Sequence, residues 1–199
     1  SDVEIDGDRW LAATASGIFT SSNQGKTWQG GPVMGTKDFI SVRANGPVLV
    51  AATRTTVLVS TDKGTSWKQA PLASFITSIR GVTITPDEQI LVASREGAFR
   101  SGDNGASWEH AVNGLPSKDI TSIAYDSTRK RLLATSDATG VVFMSADSGR
   151  TWTRGPDSGF PLRRISVIHG RYVAATPFDG VVVQPESEPQ SAAVDGSSR

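Results

Sequence analysis

An all-β propeller of about five four-stranded antiparallel blades is the fold this sequence predicts, and three observations predict it. A turn motif recurs four times, with starts 39, 41 and 44 residues apart. Short runs of β-branched and aromatic residues flank every copy, and no stretch carries a convincing helical period. Four such runs fit into each repeat of about 40 residues, which is the make-up of a propeller blade. A fragment of a six- or seven-bladed ring satisfies the same pattern.

The four copies of the motif are Ser21-Ser-Asn-Gln-Gly-Lys-Thr-Trp28, Ser60-Thr-Asp-Lys-Gly-Thr-Ser-Trp67, Ser101-Gly-Asp-Asn-Gly-Ala-Ser-Trp108 and Ser145-Ala-Asp-Ser-Gly-Arg-Thr-Trp152. Before each lies an apolar run: Gly17–Thr20, Thr56–Val59, Gly97–Arg100 and Gly140–Met144. Upstream of that comes a second: Trp10–Thr14, Val48–Thr53, Ile90–Ser94 and Arg131–Thr135. An outer pattern precedes the pair, as Ile40–Val42, Ile76–Ile79, Ile120–Ile123 and Ile165–Val167, with Val3–Ile5 as a first copy. A fifth pair, Tyr172–Thr176 and Gly180–Val183, lacks the motif. One repeat therefore reads as strands A, B and C, the turn, and strand D. The apolar B run suits a strand covered on both faces by neighbouring blades. Residues 1–183 form the propeller, and the Pro-, Ser- and Glu-rich residues 184–199 are either a last strand or a disordered tail.

The residues of the turn explain themselves. Asn23, Asp62, Asp103 and Asp147 are placed to accept hydrogen bonds from the backbone of their own turn, helped by Ser21, Ser60, Ser101 and Ser145. Gly25, Gly64, Gly105 and Gly149 are expected at positive φ. Trp28, Trp67, Trp108 and Trp152 begin strand D and pack between sheets.

Four copies of this motif resemble the Asp-box, or bacterial neuraminidase repeat. The resemblance spans essentially residues 1–183. That family includes sialidases, xyloglucan-cleaving glycosidases, sortilin-type receptors and the photosystem II assembly propeller. It implies a β-propeller with the Asp-box on the C–D turn, away from the usual central site, and does not by itself imply catalysis. Sialidases also carry an Arg-Ile-Pro segment, which is absent here, and a nucleophilic tyrosine; this chain has only Tyr125 and Tyr172, each within an apparent strand. The assembly propeller is closer in style, with short blades and Asp-boxes in most of them.

Bulk properties exclude several function classes. Twenty basic residues balance twenty acidic ones, so no bulk charge draws the chain to nucleic acid or an anionic membrane. There is no cysteine, hence no disulfide, thiolate metal site or cysteine nucleophile. No apolar run reaches the length of a membrane-spanning helix. Ser1–Glu4 does not read as a signal peptide, and a cleaved one would leave no trace. A bacterial protein in a periplasmic or extracellular setting is favoured over a cytoplasmic one.

In a propeller the B–C and D–A loops share one face, and binding concentrates on such variable loops. Collected there are Arg54, Arg95, Lys118, Arg163 and Arg164 with Phe75, Phe160 and Phe178. Arginines and aromatics around a concave centre anchor a carboxylate-bearing protein or peptide, unless the phenylalanines plug the blades. Carbohydrate is the alternative ligand, with the pair Glu96 and Asp179, or Asp137, as the carboxylates a glycosidase would need. No catalytic set, cofactor motif or metal site emerges: His110 and His169 stand alone, and Gly30-Gly31 precedes a strand rather than a helix. Arg129-Lys-Arg131 is expected to be a solvated hairpin tip. The function predicted is a non-catalytic scaffold that binds protein or peptide through the B–C/D–A face.

Overall fold

The computed structural model describes residues 2–111, 113–168, 170–177 and 180–183, and these form an all-β, five-bladed propeller without helices. Each blade is a run of antiparallel hairpins in chain order. Blade one holds β1 (Asp2–Asp6), β2 (Arg9–Thr14), β3 (Gly17–Ser21) and β4 (Gln29–Gly31). Blade two holds β5 (Ser41–Asn45), β6 (Val48–Ala52), β7 (Val57–Ser60) and β8 (Lys68–Gln69). Blade three holds β9 (Ile79–Ile84), β10 (Ile90–Ser94), β11 (Gly97–Ser101) and β12 (Glu109–His110). Blade four holds β13 (Ile120–Asp126), β14 (Arg131–Ser136), β15 (Thr139–Ser145) and β16 (Thr153–Asp157). Blade five has three described strands, β17 (Arg164–Ile168), β18 (Arg171–Ala175) and β19 (Val181–Val183). Residues 184–199, read above as a last strand or tail, lie outside the described residues.

The A strand, which the repeat leaves outermost in sequence, is innermost in space. β1, β5, β9, β13 and β17 are neighbours around a central channel. The B strands behave as their composition requires: β6 and β10 are buried at every residue. Apolar clusters fill the spaces between blades. Leu11, Ala13 and Ile18 meet Val42, Leu49 and Leu58 between blades one and two. Val50, Val57 and Val59 meet Ile79, Val82 and Ile84 between two and three. Comparable clusters join three to four and four to five.

Every B strand ends on, or is followed at once by, a hydroxyl that folds the B–C turn. Thr14, Thr53, Ser94, Ser136 and Thr176 each accept a backbone N–H from their own turn, at 3.0–3.2 Å. These residues set the true alignment of the blades. It puts Ser136, rather than Thr135, in register with Thr14. It also shifts the outer pattern of blade three: Ile79 faces Ser94 as Ile120 faces Ser136, so Ile76 lies before the strand and plugs the core instead. Both blades carry a β-bulge here, with Arg80 and Thr121 as the extra residues. A one-residue bulge cannot be read from a repeat that otherwise keeps its spacing.

The repeated turn has the geometry its residues predict. The Ser hydroxyl accepts the glycine N–H at 2.8–2.9 Å and donates to the Asx Oδ1 at 2.8–2.9 Å. That oxygen also accepts the N–H four residues on, at 2.8–2.9 Å. The tryptophan Nε1–H donates to the glycine carbonyl at 3.0–3.2 Å. The glycines have φ between 83° and 90°, as expected. The residue before each (Gln24, Lys63, Asn104 and Ser148) is also left-handed, which leaves the glycine as the one place where the turn avoids further strain.

Ser66 hydroxyl and amide bonds, with the Ser60 hydroxyl, hold the Asp62 carboxyl at about 2. Ser107 and Ser101 do the same for Asp103, also at about 2. Burial works against Asp147, but Thr151 and Ser145 outweigh it and leave that carboxyl at about 2. The ordinary value is 3.8, so as pH falls the unfolded chain takes up these protons first. The stability they contribute is complete above about pH 4 and is lost as pH falls toward 2. Asn23 makes the same Oδ1 contacts without a titrating group, and its Nδ2 donates to Thr27 Oγ1 at 2.8 Å. Replacing Asp62, Asp103 and Asp147 by Asn is therefore expected to flatten the fall in melting temperature between pH 4 and 2. Thermal melts across that window check this.

Arg129 and Lys130 are exposed on the A–B turn, as expected of a solvated tip, but the arginines of the segment also make specific contacts. Arg129 and Arg131 each lie 3.5 Å from the buried Asp126 carboxylate. Arg129 also reaches the Gly170 carbonyl of blade five, so the segment ties blades together.

Candidate functional site

The B–C and D–A loops share one face, and main-chain hydrogen bonds lock them to each other. Asp38 N–H donates to the Ala15 carbonyl at 3.1 Å, Ile79 N–H to Arg54 at 2.8 Å, and Asp119 N–H to Arg95 at 2.8 Å. Each of these three D–A loops thus docks on the B–C turn of the blade it leaves. The carbonyls of Arg54 and Arg95 are used in this, while both side chains stay exposed.

Where this face opens into the channel, four guanidiniums line one small cavity of about 80 Å³: Arg43, Arg80, Arg163 and Arg164. Arg43 stands on β5 and Arg164 at the start of β17. The bulge in β9 turns Arg80 out of the ladder and toward the mouth. Three carboxylates sit among them. Asp2, buried at the start of β1, receives Arg43, accepts Arg164 at 2.5 Å and accepts the Ser41 hydroxyl at 3.1 Å. Asp119 and Asp137 each lie 3.6 Å from Arg80, and Asp137 lies 3.9 Å from Arg163. Deeper in, burial pushes the Glu4 carboxyl up and Arg43, 3.7 Å away, pulls it down, with the net shift upward. The mouth therefore carries more guanidinium than carboxylate, and the 3.6–3.9 Å separations leave donors free for another acceptor.

Of the residues expected on the rim, Arg163 and Arg164 come together at the mouth. Arg54 instead lines a separate groove of about 500 Å³ with Lys37, Asp38 and Phe39, between blades one and two. Arg95 and Lys118 are exposed on the loops of blades three and four, and among the described residues neither has an ion-pair partner. Phe75 and Phe160 are exposed rather than plugged; Phe75 packs at 6.0 Å against the Phe99 ring. The plugs are Phe39, Ile76, Leu115 and Leu162, all buried. Phe178 and Asp179 lie outside the described residues, as does His169. His110 stacks on Phe99 at 4.7 Å.

Arg43 and Arg80 fall outside the loops from which the rim set is drawn, because they lie inside A strands. The signal was there in part: in Ser41-Val-Arg43 the apolar neighbour faces the core and the alternate residue must face the channel. Glu96 also gains a role. Its Oε1 accepts Thr77 at 3.0 Å, while Oε2 is buried without a partner among the described residues. Burial raises its pKa, but hydrogen bonds from Thr77, its own amide and Ser78 outweigh that and keep it ionised.

Neither tyrosine is placed for nucleophilic attack at the mouth. Tyr172 is buried between blades four and five, Tyr125 lies toward the opposite end of the channel, and burial pushes both hydroxyls up. Among the described residues, no group of three or more His, Asp or Glu side chains could hold a metal ion. None of the described elements is a helix long and apolar enough to cross a membrane.

No protein-family model matches the sequence, and no curated protein matches it. Solved structures do match. YCF48 bound to D1 peptide is 18% identical, with a TM-score of 0.65 over 89% of this chain and 62% of that one. The extracellular domain of a hybrid two-component system from B. thetaiotaomicron is 18% identical, with a TM-score of 0.69 over 94% and 26%. The GH74 xyloglucanase from Xanthomonas campestris is 17% identical, with a TM-score of 0.65 over 86% and 32%. The chain thus spans less than two thirds of each of these proteins. At such identities the likeness establishes a shared β-propeller fold.

Proposed function

We propose that this propeller is a non-catalytic scaffold that holds an extended, carboxylate-bearing peptide or protein segment across the B–C/D–A face. The convergence of Arg43, Arg80, Arg163 and Arg164 on the channel mouth carries this reading. A carboxylate there replaces the long contacts of Arg80 and Arg163 with short charge-assisted bonds. Exposed Phe75 and Phe160 offer apolar anchors. Arg54, Arg95 and Lys118 extend the positive rim. YCF48, a propeller of the same fold, is known bound to a peptide, and the Asp-box turns belong to the opposite face, where they serve stability.

The alternative, a carbohydrate-binding or glycoside hydrolase-type protein, draws on the GH74 neighbour. It requires two facing carboxylates and exposed tryptophan platforms. At the mouth Asp119 and Asp137 are engaged by arginines, and four of the five tryptophans belong to the repeated turns.

Fluorescence anisotropy with labelled acidic peptides tests the proposal, each peptide compared with its C-terminally amidated form. Arg80→Ala and Arg163→Ala are each expected to weaken binding about ten- to hundredfold, and added salt to weaken it in the parent chain. Binding that ignores both substitutions, or turnover in a chromogenic glycoside screen, would sink the scaffold reading.

A further inference from the structure

We propose that the seam between blade five and blade one is an interior interface, built to take a further β-blade of this same repeat joined to the array. The inference rests on positions that the B–C turns bring into register. Val42, Val82, Ile123 and Ile165 occupy one place on their A strands, opposite Ala51, Val92, Ala134 and Ala174. Each faces the preceding blade, and all are at most 3% exposed. Val3, opposite Ala12, is the same position in blade one, and it is 56% exposed. Ile5 repeats the comparison against buried Ile84.

The other side of the seam shows the matching face. Val57 and Val59 of blade two point toward blade three and are buried. Their counterparts in blade five are Val181 and Val183, paired with Ala175 and Val173 as Val57 and Val59 are with Ala52 and Val50. Val181 is 64% exposed against 0% for Val57. The turn tryptophans agree: Trp67, Trp108 and Trp152 pack into the clusters shared with the preceding blade, whereas Trp28 has no such cluster among the described residues and is 38% exposed.

An apolar cluster fills each of the four interfaces between consecutive blades, and among the described residues none joins blade five to blade one. Among the described residues, Asp2 and Arg164 meet across the seam at the channel mouth. A repeat array stays soluble by ending on polar outer faces. Here both outer faces keep the apolar residues of an inner interface, one the head and the other the tail of the same contact. The occupant that matches both is a four-stranded sheet, apolar on two sides, and every existing interface of this kind is made by blades adjacent in one chain.

Two arms test this. In the chain itself, Val3→Lys and Val181→Lys are expected to leave the melting temperature within about 1 °C, while dye binding to exposed apolar surface falls at least twofold. A drop of more than about 4 °C would mean that the seam closes on itself and would overturn the proposal. In the second arm, residues 60–111 are grafted after Val183, in register because Val183 holds the place of Val59; this supplies a D strand and a sixth blade. The grafted chain is expected to melt higher, to lose most dye binding, and now to be destabilised by Val3→Lys. A folded graft that binds as much dye as the parent would overturn the proposal. So would light scattering that shows the parent to be a dimer dissociated by Val3→Lys, since a second copy would then be the occupant. If the graft does not fold, the first arm decides.

Discussion

Replacing Trp152 with alanine is expected to cost about 3–5 kcal/mol of unfolding free energy, and the same change at Trp28 less than half as much. Both side chains start strand D of their blades, and both donate Nε1–H to the glycine carbonyl of their turn, at 3.2 and 3.0 Å. The local hydrogen bonding is therefore nearly identical. What differs is the neighbour. Trp152 is 5% exposed, packed among Leu91, Ala93, Leu115 and Leu132 between blades three and four, whereas Trp28 is 38% exposed and among the described residues belongs to no apolar cluster. Removing Trp152 leaves a cavity between two rigid sheets that cannot collapse to fill it. Urea titrations of the two variants measure the difference. Equal losses would show that the turn itself, rather than blade packing, sets the value of these tryptophans.

Gly17→Ala is the second large effect, expected to cost about 2–4 kcal/mol from backbone strain and overpacking together. Gly17 opens β3 at a φ of 139°, a conformation essentially reserved for glycine. A Cβ there would lie 1.9 Å from the Gly31 carbonyl oxygen, and that oxygen belongs to the main chain and cannot swing aside. Gly7 is the control. It is also left-handed, at 60°, but a Cβ meets nothing within 4 Å, so Gly7→Ala should carry only the conformational penalty of about 1–2 kcal/mol. Similar losses at the two positions would refute the close approach of β3 to β4.

The blades themselves were legible because their signals are local. Turn residues, strand-forming runs and the roughly 40-residue period each follow from a few adjacent side chains, so the order of strands and the hydrogen bonding of the turn could be read without a structure. The candidate site was legible only by halves. Arg163 and Arg164 stand out as loop charges, but Arg80 reaches the mouth through a bulge, and Arg43 through the alternation of a strand whose place in the blade was not evident. Loop class places Phe75 and Phe160 with Arg54, yet which phenylalanine plugs a blade depends on depth; among these described residues it is Phe39.

An all-β repeat with four motif turns committed to structure is readable from local residues alone, because each such turn is closed by hydrogen bonds within eight residues. Which side chains converge on the channel mouth, and which repeats are covered by a neighbour, follows from how the sheets are arranged in space. Those properties depend on where consecutive sheets face each other: Val3 and Val82 occupy the same place in their repeats, and only the presence of a preceding blade makes one of them core.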